Sequence, residues 1–182
     1  MSETAEFFKE HKYCIVRGAM YVKDVWEKCK AKIDQGTNDT QVPGSSSFYR
    51  DIDICKLHIK LLPVMEEATG LKLYPTYTYH RIYRPGAVLE RHRDRPACEI
   101  SASICIGYDG NYNWPLWLED GKTHDAKEYV LEPGDMLIYR GCEVDHWRER
   151  YEKGILHCAA FLHYVDQDGP YTDCIYDMVR TP

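Results

Sequence analysis

The pattern of apolar and polar positions turns from mainly helical to strand-like at about Leu71. Apolar residues recur at helical spacing from Glu3 to His11, from about Lys23 to Ile33, and through CKLHIKLLPVMEEATG, which carries Leu57, Ile59 and Leu62. Thr4 is the expected cap of the first helix, Pro63 is placed to kink the third, and Gly70 is placed to stop it. Between the first two helices, YCIVRGAMYV is rich in β-branched and aromatic residues and predicts a strand. From Leu71 onward the pattern becomes short runs of strand composition that end at Gly or Asp: LKLYPTYTYHRIYRPG, CEISASICIGYDG, WPLWLEDGK, EYVLEPGDMLIYRG and KGILHCAAFLHYVD.

A helical N-terminal third therefore backs a mostly β remainder, an α+β chain. Short antiparallel strands in series close as a sandwich, barrel or jelly roll, because those shapes bury one face of each strand and protect the edges. The expected organisation is a single domain over 1–182, with helical support and a loop in 1–70, a jelly-roll core in 71–165 and a C-terminal tail in 166–182. The loop, DQGTNDTQVPGSSSFYRD, is poor in apolar residues and longer than an ordinary connection. Its portion from about Gln35 to Tyr49 is expected to be a lid that orders over substrate.

Composition narrows the function classes. With 182 residues, 44% hydrophobic and 29% charged, the chain can bury the core of one globular domain. A net charge of −6 argues against a binder of phosphate backbones, so a small molecule, peptide or protein is the expected partner rather than nucleic acid. MSETAEFFKEHKYC lacks the apolar stretch of a signal peptide, and no apolar run approaches the ~20 residues that cross a bilayer. The expectation is a cytoplasmic protein without a membrane partner. The eight cysteines are scattered, show no C-x2-C pair, and are expected to be reduced thiols, with Cys105 and Cys158 acting as small hydrophobes in strands.

The candidate chemistry lies in GAVLERHRDRPACEISAS. In an extended chain residues i and i+2 share a face, so His92 and Asp94 can aim at one point while Arg93 faces away. GCEVDHWRERYEKG offers His146 as a third ligand. Two imidazoles and one carboxylate that leave positions open suit non-haem iron(II) oxygenases. H-x-D alone is common, and on the tripeptide alone a surface pair or a pair that holds a turn is the favoured explanation; the flanking sequence reverses that.

YHRIYRPGAVLERHRD and LEPGDMLIYRGCEVDHWRERYEKGILHCAAFLHYV together resemble the 2-oxoglutarate and iron(II)-dependent dioxygenase superfamily, and within it the prolyl 4-hydroxylase-like group. The resemblance covers about Thr76 to Tyr164. It implies a double-stranded β-helix, with His92, Asp94 and His146 as metal ligands and catalytic centre, the histidines 54 residues apart. It also implies iron(II), 2-oxoglutarate and O2, with ascorbate as an optional reductant. The implied reaction hydroxylates a prolyl or other amino-acid or peptide side chain while 2-oxoglutarate is decarboxylated to succinate.

The far carboxylate of 2-oxoglutarate needs a cation or several donors when buried. The family's tyrosine nine residues before the first histidine falls on Tyr83. The family's Lys or Arg about ten residues after the distal histidine falls on Leu156, followed by His157, which is the main departure. His157 would then fill the basic slot, and alternation points His157, Ala159, Phe161 and His163 the same way. As a cation, His157 would make affinity fall with rising pH. Arg148, two residues after His146, and Arg81, on the face of Tyr83, compete for the role; Arg148 is favoured because its planar fork can share the ligand's face. Tyr77, Tyr79, Trp114, Trp117 and Trp147 suit either cleft or core, and Arg95 either a substrate contact or a salt bridge. His58, His80, His124 and His163 read as surface or core residues. The missing basic residue keeps two alternatives open: a non-catalytic metal-binding jelly-roll protein, and a cupin-like metalloenzyme that does not use 2-oxoglutarate.

Overall fold

The computed structural model describes residues 2–175 and 177; the rest of the expected C-terminal tail lies outside the described residues. Helix α1 (Glu3–His11) is followed by strand β1 (Tyr13–Val16), helix α2 (Lys23–Ala31), strands β2 (Thr37–Asn38) and β3 (Ser46–Tyr49), and helix α3 (Ile52–Thr69). Among the described residues eight further strands follow: β4 (Leu73–Tyr83), β5 (Leu89–His92), β6 (Ile100–Asp109), β7 (Leu116–Glu119), β8 (Ala126–Tyr129), β9 (Met136–Arg140), β10 (His146–Arg148) and β11 (Leu156–Asp166).

Local chemistry sets the element boundaries. Ser2, not Thr4, caps α1, its Oγ accepting the Ala5 N–H at 3.2 Å. Helix α3 starts at Ile52, ahead of the apolar pattern, because the Asp51 carboxylate accepts the Asp53 N–H at 3.0 Å; it ends where Gly70 turns left-handed at φ 71°. It continues through Pro63, which is exposed, so the carbonyl one turn earlier on exposed Ile59 can turn to water. Strand β1 stops at Val16 instead of reaching Val22, since Gly18 takes φ 57° and donates its N–H to Asp135 at 2.8 Å. EYVLEPGDMLIYRG divides at Pro133 and Gly134 and so contributes to two strands, β8 and β9.

The strands form two antiparallel sheets in the jelly-roll manner, one of seven strands ordered β1-β9-β6-β11-β4-β3-β2 and one of four ordered β5-β10-β7-β8. Helices cover the outer face of the large sheet, where Phe8, Trp26, Leu61 and Met65 pack with Ile82, Ile104, Cys158 and Leu162. The opposite face looks into the barrel: Tyr83, Ala159 and Phe161 meet Leu89 and Trp114, and Leu137 and Tyr139 meet Leu116 and Leu118. Alternation along β11 therefore sends His157, Ala159, Phe161 and His163 inward, as the sequence pattern requires.

The segment expected to be a lid is built into the large sheet. Strand β3 pairs with β4, with Ser47 opposite Arg81, and β2 closes a hairpin onto β3. Val42, in the bend, is fully buried.

Candidate metal centre and its cavity

The β5–β10 ladder sets His92 directly opposite His146, with ring centroids 4.3 Å apart. Asp94 lies two residues beyond His92, where its N–H bonds the Gly141 carbonyl at 2.9 Å. Its Oδ1 is 3.6 Å from His92 Nε2 and 3.5 Å from His146 Nε2. Three ligand atoms thus converge from three backbone positions at one end of the small sheet.

Both imidazoles are oriented by main chain. His92 Nδ1 lies 2.8 Å from the Glu90 carbonyl and His146 Nδ1 3.2 Å from the Val144 carbonyl. A carbonyl only accepts, so each ring donates its Nδ1–H to main chain and aims Nε2 at Asp94, leaving that nitrogen as the one a metal would take once its proton is lost. Burial would raise the Asp94 carboxyl, but the facing imidazoles of His146 and His92 overcome it and hold the group well below the usual carboxylate range. His92 is shifted up, burial being outweighed by Asp94. A Cβ on Gly141 would collide with Asp94 Oδ2 and the Cys98 carbonyl, so only glycine lets the chain pass this close.

The three residues border a cavity of ≈ 220 Å³ whose walls include Tyr77, Tyr79, Arg81, Phe161, Gln41 and Arg95. Arg81 is on the wall but already neutralised. Its Nε donates to Asp39 at 2.6 Å, Nη2 to Gln41 Oε1 at 2.9 Å and Nη1 to the Tyr83 hydroxyl at 3.2 Å, while the Tyr79 hydroxyl also donates to Asp39. Burial acts to raise the Asp39 carboxyl, and Arg81 with Tyr79 more than offsets it, so the carboxylate stays ionised.

Arg148 lies behind that wall, facing inward opposite Leu89 and 1% exposed. Its Nη1 donates to the Trp114 carbonyl at 2.5 Å, and the guanidinium sits 5.0 Å over the Trp114 ring. Among the described residues no carboxylate pairs with it and its Nε has no hydrogen-bond partner. His157 is fully inside, opposite Tyr83 on β4, and both its ring nitrogens are likewise unpartnered among the described residues. Burial, reinforced by the Arg148 charge, pushes His157 well below the ordinary histidine value. It is therefore neutral, which corrects the expectation that it could act as a cation.

The donor set fits the implied group. Two Nε2 lone pairs and a carboxylate oxygen could hold iron(II) with positions open, and a buried cation without a counter-ion suits the far end of a bound diacid. Arg148 follows His146 by two residues on one face, roughly 7 Å along the strand, a span comparable to a five-carbon chain.

The remaining sequence candidates divide. Tyr77 and Tyr79 line the cavity, whereas Trp114 is buried against Tyr83 and Tyr151, and Trp117 stacks on Trp147 at 5.8 Å on the far side of the strands that carry Leu118 and His146 inward. Arg95 pairs with Asp177 and stacks over Tyr77. His58 bonds the His163 carbonyl, His80 stacks on Phe48, and His124 is exposed. Sequence reasoning missed Asp39, Gln41, Cys98 and His163 as cavity neighbours. Only His163 carried a signal, the inward alternation it shares with His157.

No family model matches the sequence, and no curated protein matches it. Solved structures do. The non-haem α-ketoglutarate-dependent epimerase SnoN of nogalamycin biosynthesis superposes with a TM-score of 0.75 at 10% identity over 90% of this chain and 79% of its own. A prolyl-4-hydroxylase from Pseudomonas putida gives 0.67 at 14% identity over 88% and 96%. HygX from Streptomyces hygroscopicus, holding nickel, 2-oxoglutarate and hygromycin B, gives 0.71 at 11% identity over 94% and 90%. This likeness is one of fold, and the chain has the jelly-roll fold that these proteins share.

Proposed function

We propose that the protein is an iron(II)- and 2-oxoglutarate-dependent oxygenase, a hydroxylase of a prolyl or other amino-acid or peptide side chain. The observation that carries this reading is the convergence of His92, Asp94 and His146 inside the jelly roll, with both Nδ1 atoms tied to carbonyls. When bound, iron and 2-oxoglutarate supply the oxidising power that turns a C–H into C–OH, with O2 consumed and succinate released. This chain's residues supply position, charge and exclusion of water.

His92, Asp94 and His146 hold the metal. Arg148 anchors the far carboxylate, with Tyr83 and neutral His157 beside it as hydrogen-bond donors; Arg81, neutralised by Asp39, shapes the wall instead. Tyr77, Tyr79 and Phe161 present aromatic surface to the substrate, and Gln41 adds a polar contact. Nogalamycin RO, bound by SnoN, and hygromycin B, bound by HygX, belong to those proteins. The amino-acid or peptide substrate proposed here rests on the prolyl-hydroxylase resemblance.

Anaerobic addition of iron(II) and 2-oxoglutarate should produce a visible metal-to-ligand charge-transfer band. Succinate release screened against amino acids, peptides and oligonucleotides should then rise with an amino-acid or peptide. Iron binding without the band overturns 2-oxoglutarate dependence. A neutral histidine in the family's basic slot favours one second reading, a cupin-like metalloenzyme, which would bind iron and turn over without succinate.

A further inference from the structure

A second set of ligand types shares Asp94. Atoms of Asp94, Cys98 and His163 lie within 4.8 Å of one another, the same bound that holds for His92, Asp94 and His146. The two carboxylate oxygens of Asp94 face different neighbours. Oδ1 is the one near His92 and His146, whereas Oδ2 accepts from Ser101 Oγ at 3.2 Å, and that hydroxyl lies 2.8 Å from His163 Nδ1. Asp94 therefore stands between two donor sets.

The chain builds this second set deliberately in space though not in sequence. A short turn, Pro96–Cys98, folds Cys98 back beneath Asp94 and is closed by the Gly141 N–H on the Glu99 carbonyl at 2.9 Å. The β6–β11 ladder places His163 opposite Ser101. Cys98 and His163 both border the cavity, so an ion that enters meets them as well as the first triad. The Tyr77 hydroxyl is 3.1 Å from Cys98 Sγ.

We infer that Asp94, Cys98 and His163 form a second metal site, for a dication of the zinc class, bridged through Asp94 to the first. The inference takes the first site from the proposed function but requires nothing of 2-oxoglutarate. Thiolate, imidazole and carboxylate together suit zinc or cobalt and disfavour magnesium and calcium; three protein ligands leave the fourth tetrahedral position open. Binding replaces the S–H bond of Cys98 by a metal–sulfur bond and releases that proton to solvent. The thiolate formed offsets half of the added charge, which lets two dications share one carboxylate. The oxygenase centre would thereby respond to zinc-class ions without losing its own metal.

The test titrates the full, metal-free chain anaerobically with cobalt(II), whose bond to a thiolate absorbs strongly in the near ultraviolet. Two cobalt ions per chain are expected, one with the sulfur-to-cobalt band. Cys98→Ser and His163→Ala should each bind one fewer ion and lose that band, yet still give the visible band with iron(II) and 2-oxoglutarate. His92→Ala should keep the thiolate band. One cobalt per chain without a thiolate band in the wild-type protein overturns the inference, as does a band that survives Cys98→Ser. A thiolate band in a protein that gives no iron–2-oxoglutarate band would instead sink the proposed function and leave the second site standing.

Discussion

Replacing Arg148 with methionine tests which of two buried cations receives the cosubstrate. In the wild-type protein loaded anaerobically with iron(II), 2-oxoglutarate at about 100 times its Kd should add about 2.7 kcal/mol of stability. A chain of this size gains roughly 2–4 °C per kcal/mol, so Tm should rise by about 5–11 °C. Removing the charged partner of a buried carboxylate costs about 3–5 kcal/mol, at least two orders of magnitude in Kd, so the same concentration should shift the variant by no more than about 2 °C. The ligand-free protein should respond little. Methionine removes a cation that no described carboxylate neutralises, a gain of about 1–4 kcal/mol, against about 1–3 kcal/mol for the Trp114 carbonyl left without its donor. The net lies between about −2 and +3 kcal/mol, centred slightly above zero, so its Tm should stay close to that of the wild type. Arg81→Met should do the reverse, stranding buried Asp39 and lowering ligand-free stability by about 3–5 kcal/mol, roughly 6–20 °C. Thermal unfolding with and without 2-oxoglutarate reads all four quantities. A full ligand shift in Arg148→Met would refute the assignment, and its loss in Arg81→Met alone would transfer the role to Arg81.

His92→Ala, Asp94→Ala and His146→Ala should each abolish iron-dependent succinate formation while circular dichroism keeps the β signature; activity retained in one removes that residue from the triad. Gly141→Ala should push Asp94 aside and weaken metal binding about 10–100-fold in equilibrium dialysis, and an unchanged affinity would show that the close passage does not position Asp94. Because His157 is neutral, 2-oxoglutarate affinity should be flat between pH 8 and 6; a fall as pH rises would restore His157 as the cation. Burial lowers His58 to about 4 and His157 well below the ordinary value, so both are neutral when folded and protonate on unfolding below about pH 6.5. Their contribution is complete above that pH and lost as pH falls toward 4, at about 3 kcal/mol per unit for the pair; urea midpoints that match at pH 7 and 5.5 would contradict this.

What the sequence made legible is what depends on short-range order. Helical periodicity places α1, α2 and α3 to within a few residues, and H-x-D is informative because i and i+2 share a face wherever the chain is extended. The hairpin of β2 and β3 was illegible because its composition is polar. It is held by partners about 40 residues away, with Asp39 clamped by Arg81 and Tyr79, and a local window contains none of that. Cys98 and His163 escaped for the same reason: 65 residues separate them, and only the β6–β11 register joins them.

Strand β10 shows where sequence reasoning stops. Composition cannot announce β10, three residues long, yet it carries His146 and Arg148 on one face. Its register against β5 runs from His146 opposite His92 to Arg148 opposite Leu89, two residues on one strand matched by three on the other. Such a bulge bends the strand and re-aims its side chains, a feature common beside functional sites. Here it lets His92 meet His146 across the ladder while Leu89 and Arg148 still both face the barrel interior. Without the extra residue, keeping Leu89 inward would turn His92 outward, because side chains alternate with a period of two. On the proposed function, metal ligation and recognition of the far carboxylate would thus be coupled through one backbone irregularity. A single-residue deletion within Glu90–Arg91 should therefore abolish metal binding and the 2-oxoglutarate thermal shift together, whereas Arg148→Met should abolish only the second. Loss of the shift with metal binding intact in the deletion would show that the bulge does not aim His92.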